Sequence, residues 1–284
     1  MNPALLIAGH GTRDPAGVAA FAALTERVAR LNTEHSVAGG FIELSEPPIR
    51  DAVTDLVGRG HRDLVAVPLM LVAAGHSKGD VPAALARETA RHPGLSVRYG
   101  RPLGPHPVLL DVMAARIAAV TAGMPEPPAV LLVGRGTTDP DGNANTVKVA
   151  RLLWEGRGYE FTETAFVSLA RPSVPEGLER CRRLGARHIV VARYFLFPGV
   201  LPDRVADQAA VFAAGHPDLD VRTTGVLGDC DEIAGLVAER YAEALTGDIR
   251  MNCDMCMYRT VLPGFEHRVG VPQRPHDHDH AHGH

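Results

Sequence analysis

The chain contains itself twice. Residues 134–140, G-R-G-T-T-D-P, repeat residues 9–15, G-H-G-T-R-D-P, 125 positions further on (134 − 9). At the same offset Phe41-Ile42-Glu43-Leu44 meets Phe166-Val167-Ser168-Leu169, and Gly60 meets Gly185. His92-Pro93 then meets His216-Pro217, and Leu103-Gly104 meets Leu227-Gly228, both at 124 after the loss of one residue. A correspondence running the length of both halves means that whatever unit the first half builds, the second builds again. The expected organisation is a first domain over 1–123, its repeat over 124–247, and a tail over 248–284, with a Gly- and Pro-rich linker at 121–128.

The unit itself reads as alternating strand and helix. Leu5-Leu6-Ile7-Ala8 is a short apolar run ending in glycine, the pattern of a strand buried on both faces. Val18, Phe21, Leu24, Val28 and Leu31 then follow helical spacing. Strands are predicted at 37–44, 64–71 and 96–99, and helices at 48–57, 81–91 and 108–120. Regular alternation implies a parallel sheet covered by helices on both faces. The fold class is therefore α/β, with two tandem, similar parallel-sheet domains.

Composition removes several classes of function. Of the 284 residues 45% are hydrophobic and 22% charged, the balance of a globular protein. No apolar run reaches about 18 residues and no signal pattern opens the chain, so a cytoplasmic location without a membrane partner is expected. The net charge of −4 argues against nucleic acid as a bulk partner. Four cysteines in a chain this long make no disulfide framework.

The two copies differ where chemistry would be. His10 becomes Arg135, Glu43 becomes Ser168, and His76 becomes Val200, while the hydrophobic pattern persists. Loss of three titratable groups together marks them as one site in the first half. Each lies at or just past the end of a predicted strand, and the carboxyl ends of parallel strands share one edge. Two imidazoles and a carboxylate can bind a divalent metal. The same groups can accept protons near neutral pH.

These residues lie in G-H-G-T-R-D-P (9–15), F-I-E-L-S-E-P-P (41–48) and P-L-M-L-V-A-A-G-H-S-K-G-D-V-P (68–82). With these motifs the chain resembles the class II tetrapyrrole chelatases, specifically the CbiX type of sirohydrochlorin chelatase, over roughly residues 1–247. The resemblance implies two similar α/β domains facing a cleft. It also implies insertion of Co2+ or Fe2+ into sirohydrochlorin on the routes to cobalamin and siroheme. It makes His10 and His76 the catalytic metal-handling pair and Glu43 their acidic partner. Sirohydrochlorin carries many carboxylates, for which the candidate cations are Arg13 and Lys78, beside helix N-termini that also favour anions, and Arg135, which replaces His10 in the second copy; the alternative for each is a solvated surface charge.

Beyond residue 247 the repeat has ended. Cys253 and Cys256 form a C-x-x-C, and His276, His278, His280, His282 and His284 alternate to the end. One C-x-x-C supplies two soft thiolates and cannot by itself fill four ligand positions. Long forms of the resembled family carry an M-x-C-x-x-C linked to an iron–sulfur cluster and a His-rich tail. By that resemblance a cluster here needs Cys181, Cys230, a second chain in a homodimer, or another ligand. The bland alternative is a pair of structural or incidental cysteines. The His-rich segment reads as a flexible metal buffer.

Two other readings compete. A histidine phosphatase also places a His after a strand, but its loop needs an arginine where Gly9 stands, and the duplication goes unexplained. A metal storage or delivery protein with a working His tail leaves the joint loss of His10, Glu43 and His76 in the second half unaccounted for.

Overall fold

The computed structural model describes residues 2–247, Tyr258 and 266–271. Cys253, Cys256 and the five tail histidines lie outside the described residues. Two four-stranded sheets, each wholly parallel, carry the fold.

The first sheet has the order β2-β1-β3-β4, formed by β1 (Ala4–Gly9), β2 (Val37–Phe41), β3 (Asp63–Pro68) and β4 (Ser96–Tyr99). β1 is central and wholly buried, as its unbroken apolar run requires. On one face Ala4, Leu6 and Ala8 meet Leu64 and Ala66 and pack under α2 (Ile49–Gly58) and α3 (Val81–Arg91). Leu5 and Ile7 alternate to the other face, on the side of α1 (Pro15–Leu31). The second sheet repeats this order as β6-β5-β7-β8, with β5 (Ala129–Gly134), β6 (Thr162–Phe166), β7 (His188–Arg193) and β8 (Asp220–Thr223). Around it lie α5 (Pro140–Trp154), α6 (Val174–Arg183) and α7 (Val200–Gly215).

The predicted α3 and β4 occur with the expected bounds, while β2 stops at Phe41 instead of running to residue 44. Ile42 and Glu43 still bond to Gly9 and His10 beyond that point, and the extended course ends at Leu44, whose φ of 66° is a left-handed conformation that no strand accommodates. Residues 76–80, expected as loop, form a single π-helical turn leading into α3.

The packing units do not follow the cut at residue 123. Among the described residues, one comprises those up to Gly104 together with those from Asp229 onward, the other Pro105–Gly228. α4 (Pro107–Thr121) therefore belongs with the second sheet and α8 (Asp231–Thr246) with the first. Each half of the sequence has given its last helix to the sheet of the other. Pro102 and Pro105 keep the segment before α4 out of helix, and it leads away from β4. α8 is anchored in its adopted unit by Tyr241, whose hydroxyl donates to the Pro3 carbonyl at 2.6 Å. In the other unit Arg222 of β8 donates to the Val120 carbonyl near the end of α4 at 2.8 Å.

Candidate functional site

In the order β2-β1-β3 the chain goes from β1 to one side and then crosses β1 to the other. Ligands of open parallel sheets gather at such a reversal, beyond the carboxyl ends of the strands. His10 follows β1, Glu43 lies two residues past β2, and His76 ends the loop after β3. The structure brings all three together. His10 Nε2 lies 3.0 Å from His76 Nε2 and 3.2 Å from Glu43 Oε1. One ligand atom from each residue lies within 4.8 Å of the others. All three side chains are about a quarter exposed.

Glycine lets the two loops meet. Gly11 has φ 101°, and a Cβ there would stand 1.7 Å from the Glu43 carbonyl oxygen. Backbone bonds from Ile42 N to Gly9 O (2.9 Å) and from Glu43 N to His10 O (3.1 Å) continue the strand pairing past the sheet edge. The Ser45 hydroxyl completes the join, accepting from Thr12 N (2.9 Å) and donating to Thr12 O (2.6 Å). The second half makes the same two bonds to Thr137 from Asn143, where the first half has Val18, and has Ala170 where Ser45 stands. The loop junction survives in both copies by different side chains, whereas the titratable groups remain only in the first.

His76 is aimed by its own turn. Its Nδ1–H donates to Asp80 Oδ2 at 2.6 Å, four residues on. The π-helical turn is held by Ser77, whose hydroxyl donates to Ala74 O (3.0 Å) and accepts from Ala74 N (3.1 Å). The Tyr99 hydroxyl of β4 donates to Ser77 O (2.7 Å), and burial pushes its pKa well above the usual value. A proton on Nδ1 leaves Nε2 with a bare lone pair. The same follows for His10, whose Nδ1 donates to Gly11 O at 3.0 Å. Two such lone pairs facing each other beside a carboxylate repel unless a proton or a cation lies among them. Donors about 2.1 Å from one ion stand about 3.0–3.4 Å apart at angles between octahedral and tetrahedral, which matches this spacing.

Asp80 was not singled out from sequence, although it lies inside the third motif. Its signal was the i, i+4 spacing from His76. Arg13 is exposed in the His10 loop, and Lys78 is half-buried in the π-helical turn. Arg135 is exposed at the end of β5, in the other packing unit. Of the remaining cysteines, Cys181 is buried in the second core, where burial pushes its thiol up to about 12. Cys230 is partly exposed just before α8.

Fold and site together define a class: a parallel α/β protein with a two-histidine, one-carboxylate cluster, suited to a divalent ion, at a sheet switch point. The CbiX family model matches residues 4–120 and again 129–244, one match for each repeat. The chain belongs to the CbiX family. It is 35% identical over 264 residues to a sirohydrochlorin cobaltochelatase of Priestia megaterium, covering 90% of this chain and 84% of that one. A sirohydrochlorin ferrochelatase of the same organism is 30% identical over 206 residues, covering 72% and 77%. Among solved structures, SirB from Bacillus subtilis with Fe3+ superposes with a TM-score of 0.75 at 27% identity, covering 89% and 100%.

Proposed function

We propose that this chain inserts a divalent metal, Co2+ or Fe2+, into sirohydrochlorin, serving cobalamin or siroheme biosynthesis. The observation that carries the reading is the convergence of His10, His76 and Glu43 in a chain of this family. Cobalt is the ion to test first, since the cobaltochelatase relative matches more of the chain at higher identity than the ferrochelatase, and iron is the alternative.

The residues divide the work by chemistry. The hydrated ion exchanges water for His10 Nε2, His76 Nε2 and Glu43, in a site open enough to keep other ligands on the metal. The macrocycle takes the ion and releases two pyrrole protons, so charge balances. The ligand atoms vacated by the metal are bases, and they accept those protons. Asp80 holds His76 in the tautomer that both tasks need. Arg13, Lys78 and Arg135 are proposed to meet substrate carboxylates.

An iron–sulfur cluster on Cys253 and Cys256 is a further part of the proposal. Two thiolates are too few, and Cys181, buried in a hydrophobic core, does not fit as a third. Cys230 or a second chain, giving a homodimer, would complete the set. No step of chelation is assigned to the cluster. A cytoplasmic location accords with the described residues, in which no helix is long and apolar enough to cross a membrane.

The test is metallation of sirohydrochlorin followed by absorbance with Co2+, Fe2+ and Ni2+. Co2+ turnover well above the uncatalysed rate is expected, and no acceleration with any metal overturns the reading. Deleting residues 248–284 separates it from metal storage: the shortened enzyme keeps its rate at saturating metal, whereas a store loses most of its metal capacity.

A further inference from the structure

Leu44 follows Glu43 directly, and it has φ 66° and is 45% exposed. Ser45 N donates to Glu43 O at 2.8 Å, closing a three-residue turn around it. This is the γ-turn with positive φ at its centre, a rare and strained form. For an ordinary residue such a conformation costs free energy that glycine, or in part asparagine, would avoid. The second half repeats the feature. Leu169 has φ 60° and is 62% exposed, and Ala170 N donates to Ser168 O at 2.7 Å.

Two costs therefore coincide at each position: a strained backbone and a large apolar side chain left in water. Neither serves the core, because neither leucine is buried. Nor does the feature serve metal binding, since it remains in the second half where Glu43 has become Ser168. What persists in both halves is an apolar side chain held out at the sheet edge by a strained turn. In the first half that side chain adjoins the carboxylate against which a macrocycle must come to receive its metal.

We infer that Leu44 is a substrate-positioning residue, whose exposed side chain lies against the apolar face of the tetrapyrrole while its neighbour Glu43 faces the metal. This rests on the chelatase reading above. The turn presents the two side chains as a unit, so macrocycle contact and ion delivery are registered by adjacent residues. Covering the exposed part of a leucine with an aromatic ring system contributes roughly a tenfold gain in binding.

The experiment uses the full-length chain with Leu44→Gly and Leu44→Met. Glycine relieves the backbone strain while removing the side chain, and methionine keeps the apolar reach. Sirohydrochlorin is titrated in the absence of metal, followed by its own absorbance, and steady-state metallation is measured against each substrate in turn. For Leu44→Gly, about tenfold higher Kd and KM for sirohydrochlorin are expected. Its KM for Co2+ should be unchanged and its Tm equal to or above wild type. Leu44→Met is expected to restore the tetrapyrrole constants to within about threefold. Unchanged sirohydrochlorin constants in an active Leu44→Gly enzyme overturn the assignment, as does equal impairment in both variants. If the unaltered chain fails to metallate sirohydrochlorin at all, the chelatase reading falls first and the assignment with it.

Discussion

Arg116 and Arg240 make the same pair of hydrogen bonds from exchanged helices. Arg240 on α8 donates from Nε to the Pro102 carbonyl (3.1 Å) and from Nη2 to the Leu103 carbonyl (2.9 Å). Arg116 on α4, 124 positions earlier, donates from Nε to Val226 O (3.1 Å) and from Nη2 to Leu227 O (2.7 Å). Each guanidinium clasps the loop that follows the last strand of its adopted sheet, and the two sheets thereby hold each other's terminal helix. Arg240 is almost wholly buried and also meets Glu243, itself paired with Arg101.

Removing this clasp is expected to loosen α8 in particular. Arg240→Ala leaves two buried carbonyls without their charged donor and should cost about 3 kcal/mol. Lysine cannot restore the two-point geometry, so Arg240→Lys should recover less than half of the loss. Urea unfolding and amide exchange along α8 measure both. A stability within about 0.5 kcal/mol of wild type for the alanine variant would contradict the clasp.

The site trio is expected to act on metal and protons more than on tetrapyrrole affinity. His10→Ala and His76→Ala should each lower kcat at least a hundredfold while sirohydrochlorin binding stays within about threefold. Asp80→Asn should keep the imidazole but release its tautomer, lowering metal affinity about 10- to 100-fold. Isothermal titration with Co2+ and steady-state rates would decide. Wild-type metal affinity in Asp80→Asn would remove the orienting role.

Two equivalent glycines separate folding from chemistry. Gly11→Ala puts a Cβ against Glu43 O, and Gly136→Ala puts one 1.9 Å from Ser168 O. Both positions also have positive φ, so each change should destabilise by about 2–4 kcal/mol. Only Gly11→Ala should weaken Co2+ binding, because only it displaces the proposed carboxylate ligand, Glu43. Equal loss of metal affinity in both variants would show that the site is not confined to the first half.

His35 is expected to make stability depend on pH. Its ring stacks on Tyr241 of α8 at 4.3 Å, its Nε2 is buried without a partner, and burial holds its pKa below the ordinary value despite nearby Glu34. The unfolded chain therefore takes up this proton first as pH falls. The contribution is fully present above about pH 6.5, the unfolded value, and is lost as pH drops through the lower folded one. The wild type minus His35→Phe difference in unfolding free energy, followed from pH 8 to 5, should decline in that direction. A flat difference would show that His35 does not titrate on unfolding.

Much of this protein is determined by local pattern. The apolar run ending at Gly9, the helical spacing from Val18 to Leu31 and the recurrence 125 residues on specify parallel α/β units made twice. The joint loss of His10, Glu43 and His76 in the second copy singles out three residues that the strand order β2-β1-β3 then brings side by side. Tertiary structure decided what local pattern leaves degenerate. α4 and α8 are equivalent helices that each follow the last strand of a repeat, so periodicity fits either pairing, and only long-range contacts such as those of Arg116 and Arg240 select the exchanged one. The positive φ of Leu44 and Leu169 runs against residue preference, and it occurs in turns whose preceding residues bond to the loop after the central strand. Asp80 acquired its role because a π-helical turn, held by Tyr99 from a strand that follows it, turns a carboxylate onto His76. These features depend on groups far apart in the chain, and their energies exist only once the sheets have formed.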